Sequence, residues 1–179
     1  MGWAIDTSLA VSSILKAYEN GTQTVDAKNN IYGVGYNENG TGYGVTSNDG
    51  IGDTYAELSL ADQHAWFYRD GKLVAEVDVV TGDVKTKCET PTGVYYIMYK
   101  QSPSVLKGTH PDGEKYEVDV DYWAQFTNDG CGFHDASWRT NWDKDAYLTD
   151  GSNGCANIKP AEMEKVYNAL SANEPVIIY

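Results

Sequence analysis

The sequence is poor in the residues that several common functions require. Lysine and arginine number 13 against 26 aspartates and glutamates, a formal charge of -13. Nucleic acids and anionic membrane surfaces are both held by clustered basic side chains, so neither is expected as a partner. The chain has three histidines and three cysteines, and no Cys-x-x-Cys pair. That spacing argues against a structural zinc site, and the scattered histidines offer no convergent ligand set. No metal and no cofactor are therefore expected. No apolar run approaches the ~20 residues of a membrane-spanning helix. No leader-like stretch opens the chain either, and Met1-Gly2 reads as an expression start, which fits a leader or anchor cut away upstream. Internal repeats and low-complexity tracts are missing.

What is there suits a soluble globular protein: 179 residues, 41% of them hydrophobic, and a mean hydropathy of -0.48. This length supports one sizeable domain, or one domain and a fragment. Fourteen Tyr and five Trp stand out. Most suit strands, and some could line a groove.

Residues 1–20 read as a short strand tail and a helix, with Asp6 or Thr7 as N-cap, Leu9, Val11, Ile14, Leu15 and Tyr18 at helical spacing, and Asn20-Gly21 as the stop. Residues 22–50 suggest short strands and turns. The stretch 48–53 is the best linker, dividing an N-terminal accessory subdomain (1–53) from the main domain (54–179). Beyond it the chain turns strand-like. Alternation marks 55–60, 66–69 and 72–80, the last two flanking an Asp70-Gly71 hairpin turn. Further strands are expected at 93–99, 116–122, 123–126 and 132–134. The stretch 101–121 suggests a hairpin near the site, a candidate lid. Pro160 at a helix N1 position opens a helix to about 171, and 176–179 is a closing strand. The fold class expected is mainly β, a β-sandwich of mixed sheets with one or two helices.

Chemistry concentrates between Cys131 and Asn157. Cys155 lies in a small-residue turn, Ser152-Asn153-Gly154-Cys155-Ala156-Asn157, and His134 precedes it. A thiol of ordinary pKa is only a few per cent ionised at neutral pH, and a neighbouring imidazole can take its proton and return it to a leaving group. Gly154 allows a sharp turn, which could aim the Gly154 and Cys155 N–H groups at one point, where an oxyanion would form. A lone cysteine is more often a small buried hydrophobe, and a strand histidine is more often structural. His64 and His110, outside any motif, are expected at the surface.

The spacing His134, then Ser-x-Gly-Cys-x-Asn, resembles the L,D-transpeptidases, the YkuD-like catalytic domain. Thr90-Pro91-Thr92-Gly93 resembles the family's Thr-Pro-x-Gly turn. The segments 55–71, 132–139 and 175–179 fit as well, so the likeness covers about 54–179. Asn153 departs from it, standing where the family has a second His. The resemblance implies a β-sandwich that cross-links peptidoglycan, with stem peptides as acyl donor and acceptor, carbapenems as inhibitors, and an extracytoplasmic location. Monomer is the default.

By the same resemblance Cys155 is the nucleophile and His134 its partner, with the Ser152 carbonyl orienting the imidazole. Asn153, Gly154 and Asn157 belong to the substrate side, with Trp138, and less strongly Trp123, as groove walls. Arg139 would pair with a substrate carboxylate or, preferably, with a neighbouring acid. An L,D-carboxypeptidase, and a cell-wall-binding module with a disabled site, are the alternatives. A papain-like peptidase fits less well, because here the Cys follows the His. If Cys155 is free, Cys88 and Cys131 could be bridged, and the resemblance brings their segments near one site; the other reading is two buried or half-buried thiols.

Overall fold

A computed structural model describes residues 4–5, 7–25, 31–32 and 51–179. At the N-terminus, β1 (Ala4–Ile5) pairs antiparallel with β2 (Ile31–Tyr32), and α1 (Thr7–Glu19) lies between them in the chain. Gly21, at φ +66, ends α1 in the left-handed conformation that a β-carbon disfavours. The amphipathic spacing of α1 does not bury it: Leu9, Val11, Ile14, Leu15 and Tyr18 are all more than half exposed. Asp6 and most of 22–50, including the expected short strands there, lie outside the described residues. Among the described residues no helix is long and apolar enough to cross a membrane.

The main body is one nine-stranded mixed sheet. In chain order its strands are β3 (Tyr55–Ser59), β4 (His64–Arg69), β5 (Lys72–Val80), β6 (Gly93–Tyr96) and β7 (Tyr99–Gln101), then β10 (Trp123–Gln125), β11 (Gly132–Asp135), β12 (Ala156–Ile158) and β13 (Pro175–Ile178). In space the order is β6-β13-β3-β4-β5-β12-β11-β10-β7. β4 and β5 are joined by Asp70-Gly71, both at positive φ (50° and 72°), the two-residue hairpin turn whose twist matches the strands.

The stretch 93–99 does not form a single strand. It breaks at Ile97-Met98, and its two halves, β6 and β7, are the two outer edges of the sheet. Two residues can span only ~7 Å, so the sheet must curl until its edges meet. Aromatic contacts agree. Phe67 on β4 and Phe133 on β11 are three strands apart in the order, which is ~14 Å in a flat sheet, yet their ring centroids lie 5.5 Å apart. The curled sheet thereby forms both layers of the mixed β-sandwich.

Between the layers sit Leu58, Phe67, Ile97, Phe133, Ile158 and Val176, all at most 1% exposed. Fully burying such a side chain is worth ~1.5–3 kcal/mol. α2 (Pro160–Ala169) adds Met163 and Val166 to this core. A separate hairpin, β8 (Ser104–Thr109) with β9 (Lys115–Val120), forms its own two-stranded sheet.

Candidate active site

Two neighbouring strands set the site. β11 and β12 run parallel with Phe133 opposite Ala156 and His134 opposite Asn157. Side chains alternate along a strand. Phe133 and Ala156 therefore enter the core, and His134, Asn157 and Cys155 share the other face. Neither β12 nor its pairing was read from the sequence. Ala-Asn-Ile is too short to show a period, and its partner is more than twenty residues away.

Hydrogen bonds hold the turn before β12. Ser152 Oγ donates to the Cys155 carbonyl (2.6 Å) and accepts from the Gly154 N–H (3.1 Å). Thr90 Oγ1, buried, donates to the Gly154 carbonyl (2.8 Å) and accepts from the Gly82 N–H (3.0 Å), so the Thr-Pro-Thr-Gly segment braces the turn from behind. Gly154 has φ +110, and a β-carbon there would sit 2.8 Å from Cys131 Sγ. Asp83 accepts from the Gly151 N–H (2.9 Å), while its own N–H donates to the Ser152 carbonyl (2.9 Å). Burial pushes the Asp83 carboxyl upward, but hydrogen bonds from Gly151 and Thr86 outweigh it and hold its pKa below the ordinary carboxylate range.

His134 is buried, at 3% exposed, between two indoles. Trp138 stacks on it (5.7 Å, 26°) and Trp123 lies tilted against it (5.8 Å, 47°). Nδ1 is 2.8 Å from the Asp135 carbonyl and Nε2 is 3.0 Å from Asn157 Nδ2. Burial pulls the imidazole below its ordinary pKa, and the Arg139 charge acts in the same direction against the Asp135 carbonyl. The Cys155 thiol donates to the Gly130 carbonyl (3.6 Å). Burial pushes its pKa up to about 12, with Cys131 adding to the effect. In this resting arrangement the thiol and the imidazole are both neutral, and their hydrogen bonds go to other groups.

Both face one cleft of about 250 Å³. Its back wall is His134, Trp138, Arg139, Asn157 and the Ser152–Cys155 turn, and its front is Leu106, His110, Tyr116 and Val118 of the hairpin. Asn153 Nδ2 lies 3.2 Å from His110 Nδ1 and joins the turn to the hairpin tip. Arg139 is nearly buried, its side chain 7% exposed. Its Nη1 donates to the Asp150 carbonyl (2.6 Å), and it pairs with the Asp150 carboxylate (3.6 Å). A neighbouring acid thus occupies it, as preferred above.

Several expectations need correction. The orienting carbonyl for His134 belongs to Asp135, not to Ser152, whose carbonyl Asp83 occupies. Only the Asp135 side chain points away, accepting from the N–H groups of Asp121 (3.1 Å) and Tyr122 (2.8 Å). Trp123 does not line the cleft. It lies opposite His134 in register, on the same face of the sheet, 4% exposed beside the imidazole with Nε1 donating to Tyr99 Oη (3.1 Å). The Gly154 N–H is engaged by Ser152 Oγ. His110 is exposed, as expected, and it also reaches the cleft because the hairpin folds over it; the reading of 101–121 as a lid was the available signal. Cys88 and Cys131 are free thiols, half-buried and buried. Among the described residues no group of His, Cys, Asp or Glu is placed to hold a metal ion.

Known proteins share this fold. The chain resembles a cysteine-to-serine mutant of the Enterococcus faecium L,D-transpeptidase at 32% identity and TM-score 0.76, over 99% of this chain and 66% of that one. It also resembles the catalytic domain of that E. faecium protein acylated by ertapenem, at 39% identity and TM-score 0.63, over 71% of this chain and 97% of that domain. A probable L,D-transpeptidase 3 of Mycobacterium tuberculosis is 29% identical over 96 residues, half of this chain and 34% of that protein. The chain thus spans about a third of that mycobacterial relative and just under two thirds of the longer E. faecium structure. The model of the L,D-transpeptidase catalytic domain, YkuD, matches residues 53–178. With its curled sheet and its His134 and Cys155 strands, this chain belongs to the L,D-transpeptidase catalytic domain family.

Proposed function

We propose that the protein is a cysteine acyltransferase that forms 3→3 cross-links between peptidoglycan stems. The observation that carries this reading is the shared cleft of Cys155 and His134, a thiol and an imidazole on one face of adjacent parallel strands. The donor stem enters against Trp138. His134 Nε2 takes the Sγ proton after Asn157 yields its place, and the thiolate attacks the carbonyl of the third stem residue. The oxyanion falls to N–H groups of the Gly154-Cys155 turn, which Ser152 Oγ releases at Gly154. The C–N bond breaks, and His134 returns the proton to the departing D-Ala amine. A side-chain amine of a second stem then attacks the thioester, gives its proton to His134 and restores the thiol. No step draws on a cofactor. The work is done outside the cytoplasm, by a monomer, with residues 1–53 as an accessory subdomain.

The neutral resting pair assigns activation to substrate binding. Desolvation pushes the pKa of the Cys155 thiol up to about 12, which favours deprotonation coupled to bond formation. The same electrophile logic extends to the carbapenems, by analogy with the ertapenem-acylated E. faecium domain.

Intact-protein mass spectrometry after carbapenem treatment tests the nucleophile. One drug mass is expected on the wild type and none on Cys155→Ala. An adduct that survives the substitution, or a wild type that takes none, would sink the reading. Muropeptide analysis with and without an amine acceptor then separates transpeptidation from hydrolysis to a tripeptide.

A further inference from the structure

We infer that Arg139 is a positioning residue that sets the tautomer of His134 through Asn157. The inference starts from a chain of hydrogen bonds whose two ends can each play only one role. A guanidinium can only donate. Arg139 Nε lies 3.0 Å from Asn157, so the atom facing it is the amide oxygen, Oδ1. The amide nitrogen is thereby turned toward His134 Nε2, at 3.0 Å. That nitrogen is also donor-only, so Nε2 must present its lone pair. A neutral imidazole with an empty Nε2 carries its proton on Nδ1. Nδ1 faces the Asp135 carbonyl at 2.8 Å, and a carbonyl can only accept. Every bond then has one donor and one acceptor. The other tautomer would set two donors together at Asn157 and two acceptors together at Asp135.

Arg139 is held for this task independently of any ligand. Its side chain is 7% exposed, and its Nη1 is committed to the carbonyls of Asp150 (2.6 Å) and Asn141 (3.4 Å). Without a donor at that place, Asn157 can turn its amide by half a turn with no change of shape. It would then offer Oδ1 to Nε2. Both ring nitrogens would face acceptors, an arrangement suited to the imidazolium, whose Nε2 is no longer a base. The other charged and titratable groups about the ring are Asp150 behind Arg139, Cys155 on the turn, and His110 and Tyr116 on the hairpin. The Asp135 carboxylate is directed away, to Asp121 and Tyr122.

The importance of this tautomer for catalysis rests on the acyltransfer reading; the tautomer itself does not. The test is therefore spectroscopic first. Long-range 1H–15N correlation on the 15N-labelled protein, with the His134 signals assigned by their loss in His134→Gln, is expected to show the Nδ1–H pattern at neutral pH. In Arg139→Met the ring should protonate at a midpoint raised by about one pH unit or more. Arg139→Lys, which keeps a donor, should retain part of the wild-type pattern. Asn157→Asp leaves an acceptor for Arg139 and removes the donor to Nε2, so it should produce the imidazolium pattern even if Arg139→Met fails to fold. Carbapenem acylation should fall on the order of 10²-fold wherever the imidazolium replaces the base. An Nε2–H pattern in the wild type would overturn the inference. So would folded Arg139→Met or Asn157→Asp protein with an unchanged His134 titration. A wild type with the expected tautomer that no carbapenem acylates would overturn the proposed function and leave this inference standing.

Discussion

The two walls of the cleft are built on different principles. The back wall is a piece of the core. β10, β11 and β12 all have a neighbour on both sides in the sheet, and Phe133, Ala156 and Ile158 are completely buried. Both hydrogen bonds of the His134 ring go to residues of this wall, Asp135 and Asn157. The front wall is the β8–β9 hairpin, a separate two-stranded sheet with alternating exposed and half-buried residues. Its described polar tie to the turn is the bond from Asn153 to His110. Chemistry that needs sub-ångström placement sits on buried strands, and a cover that must admit a large peptide sits on a hairpin with little core of its own.

That contrast can be broken most forcefully at Gly154. Gly154→Ala puts a β-carbon 2.8 Å from Cys131 Sγ and strains a residue at φ +110. Destabilisation of about 1–3 kcal/mol is expected, together with loss of carbapenem acylation, and thermal unfolding plus intact mass will show both. An alanine variant of wild-type stability and reactivity would mean that the back wall is far softer than described. Thr90→Val should cost nearly as much, about 1–3 kcal/mol, because it strands a buried Gly82 N–H and Gly154 carbonyl. Denaturant titration measures it, and a change near zero would remove Thr90 from the brace.

The pH dependence sharpens the comparison further. His134 is held below the ordinary imidazole value by burial. It therefore stays unprotonated, and competent as a base, at pH values where a free imidazole is already charged. The acid limb of the acylation rate should lie below the usual midpoint of about 6.5. The stability sign is set by the same shift. The unfolded chain takes up the proton first, so stability declines as pH falls from about 6.5 to the folded-state value and then levels off. Stopped-flow acylation across pH would refute this if the limb lay at or above the free value.

On the front wall the effects should be small. His110→Ala removes the tie to Asn153 and is expected to change KM for the stem a few-fold while leaving stability within about 0.5 kcal/mol. A large loss of kcat would instead place His110 in the chemistry. Asn153→His tests the neighbouring position, and an unchanged pH–rate curve would remove any titrating role there. Smallest of all, Lys107→Ala breaks an exposed pair with Glu117 (3.1 Å), and no change beyond error in the unfolding midpoint is expected.

The sequence by itself determined the local elements and the identity of the reacting groups. Alternation marked β3, β4 and β5, Asp70-Gly71 marked their hairpin, and Pro160 marked the start of α2, because these signals are carried by adjacent residues. The Ser-x-Gly-Cys-x-Asn turn and the distant His134 were legible for the same reason, since motif residues keep their order in the chain. Tertiary structure decided what depends on residues far apart. It split 93–99 between two sheet edges, because closing the curled sheet needs a crossover there. It paired the three-residue β12 with β11, and so set His134 beside Asn157. It passed the orienting task to the Asp135 carbonyl, a backbone group that no residue letter reveals. It buried Trp123 beside His134, and it carried His110 from a hairpin tip to the mouth of the cleft. Arg139 shows the limit most plainly. Its chemistry is readable from its type, but a hydrogen bond to an amide eighteen residues away exists only once two strands and the loop between them have folded together.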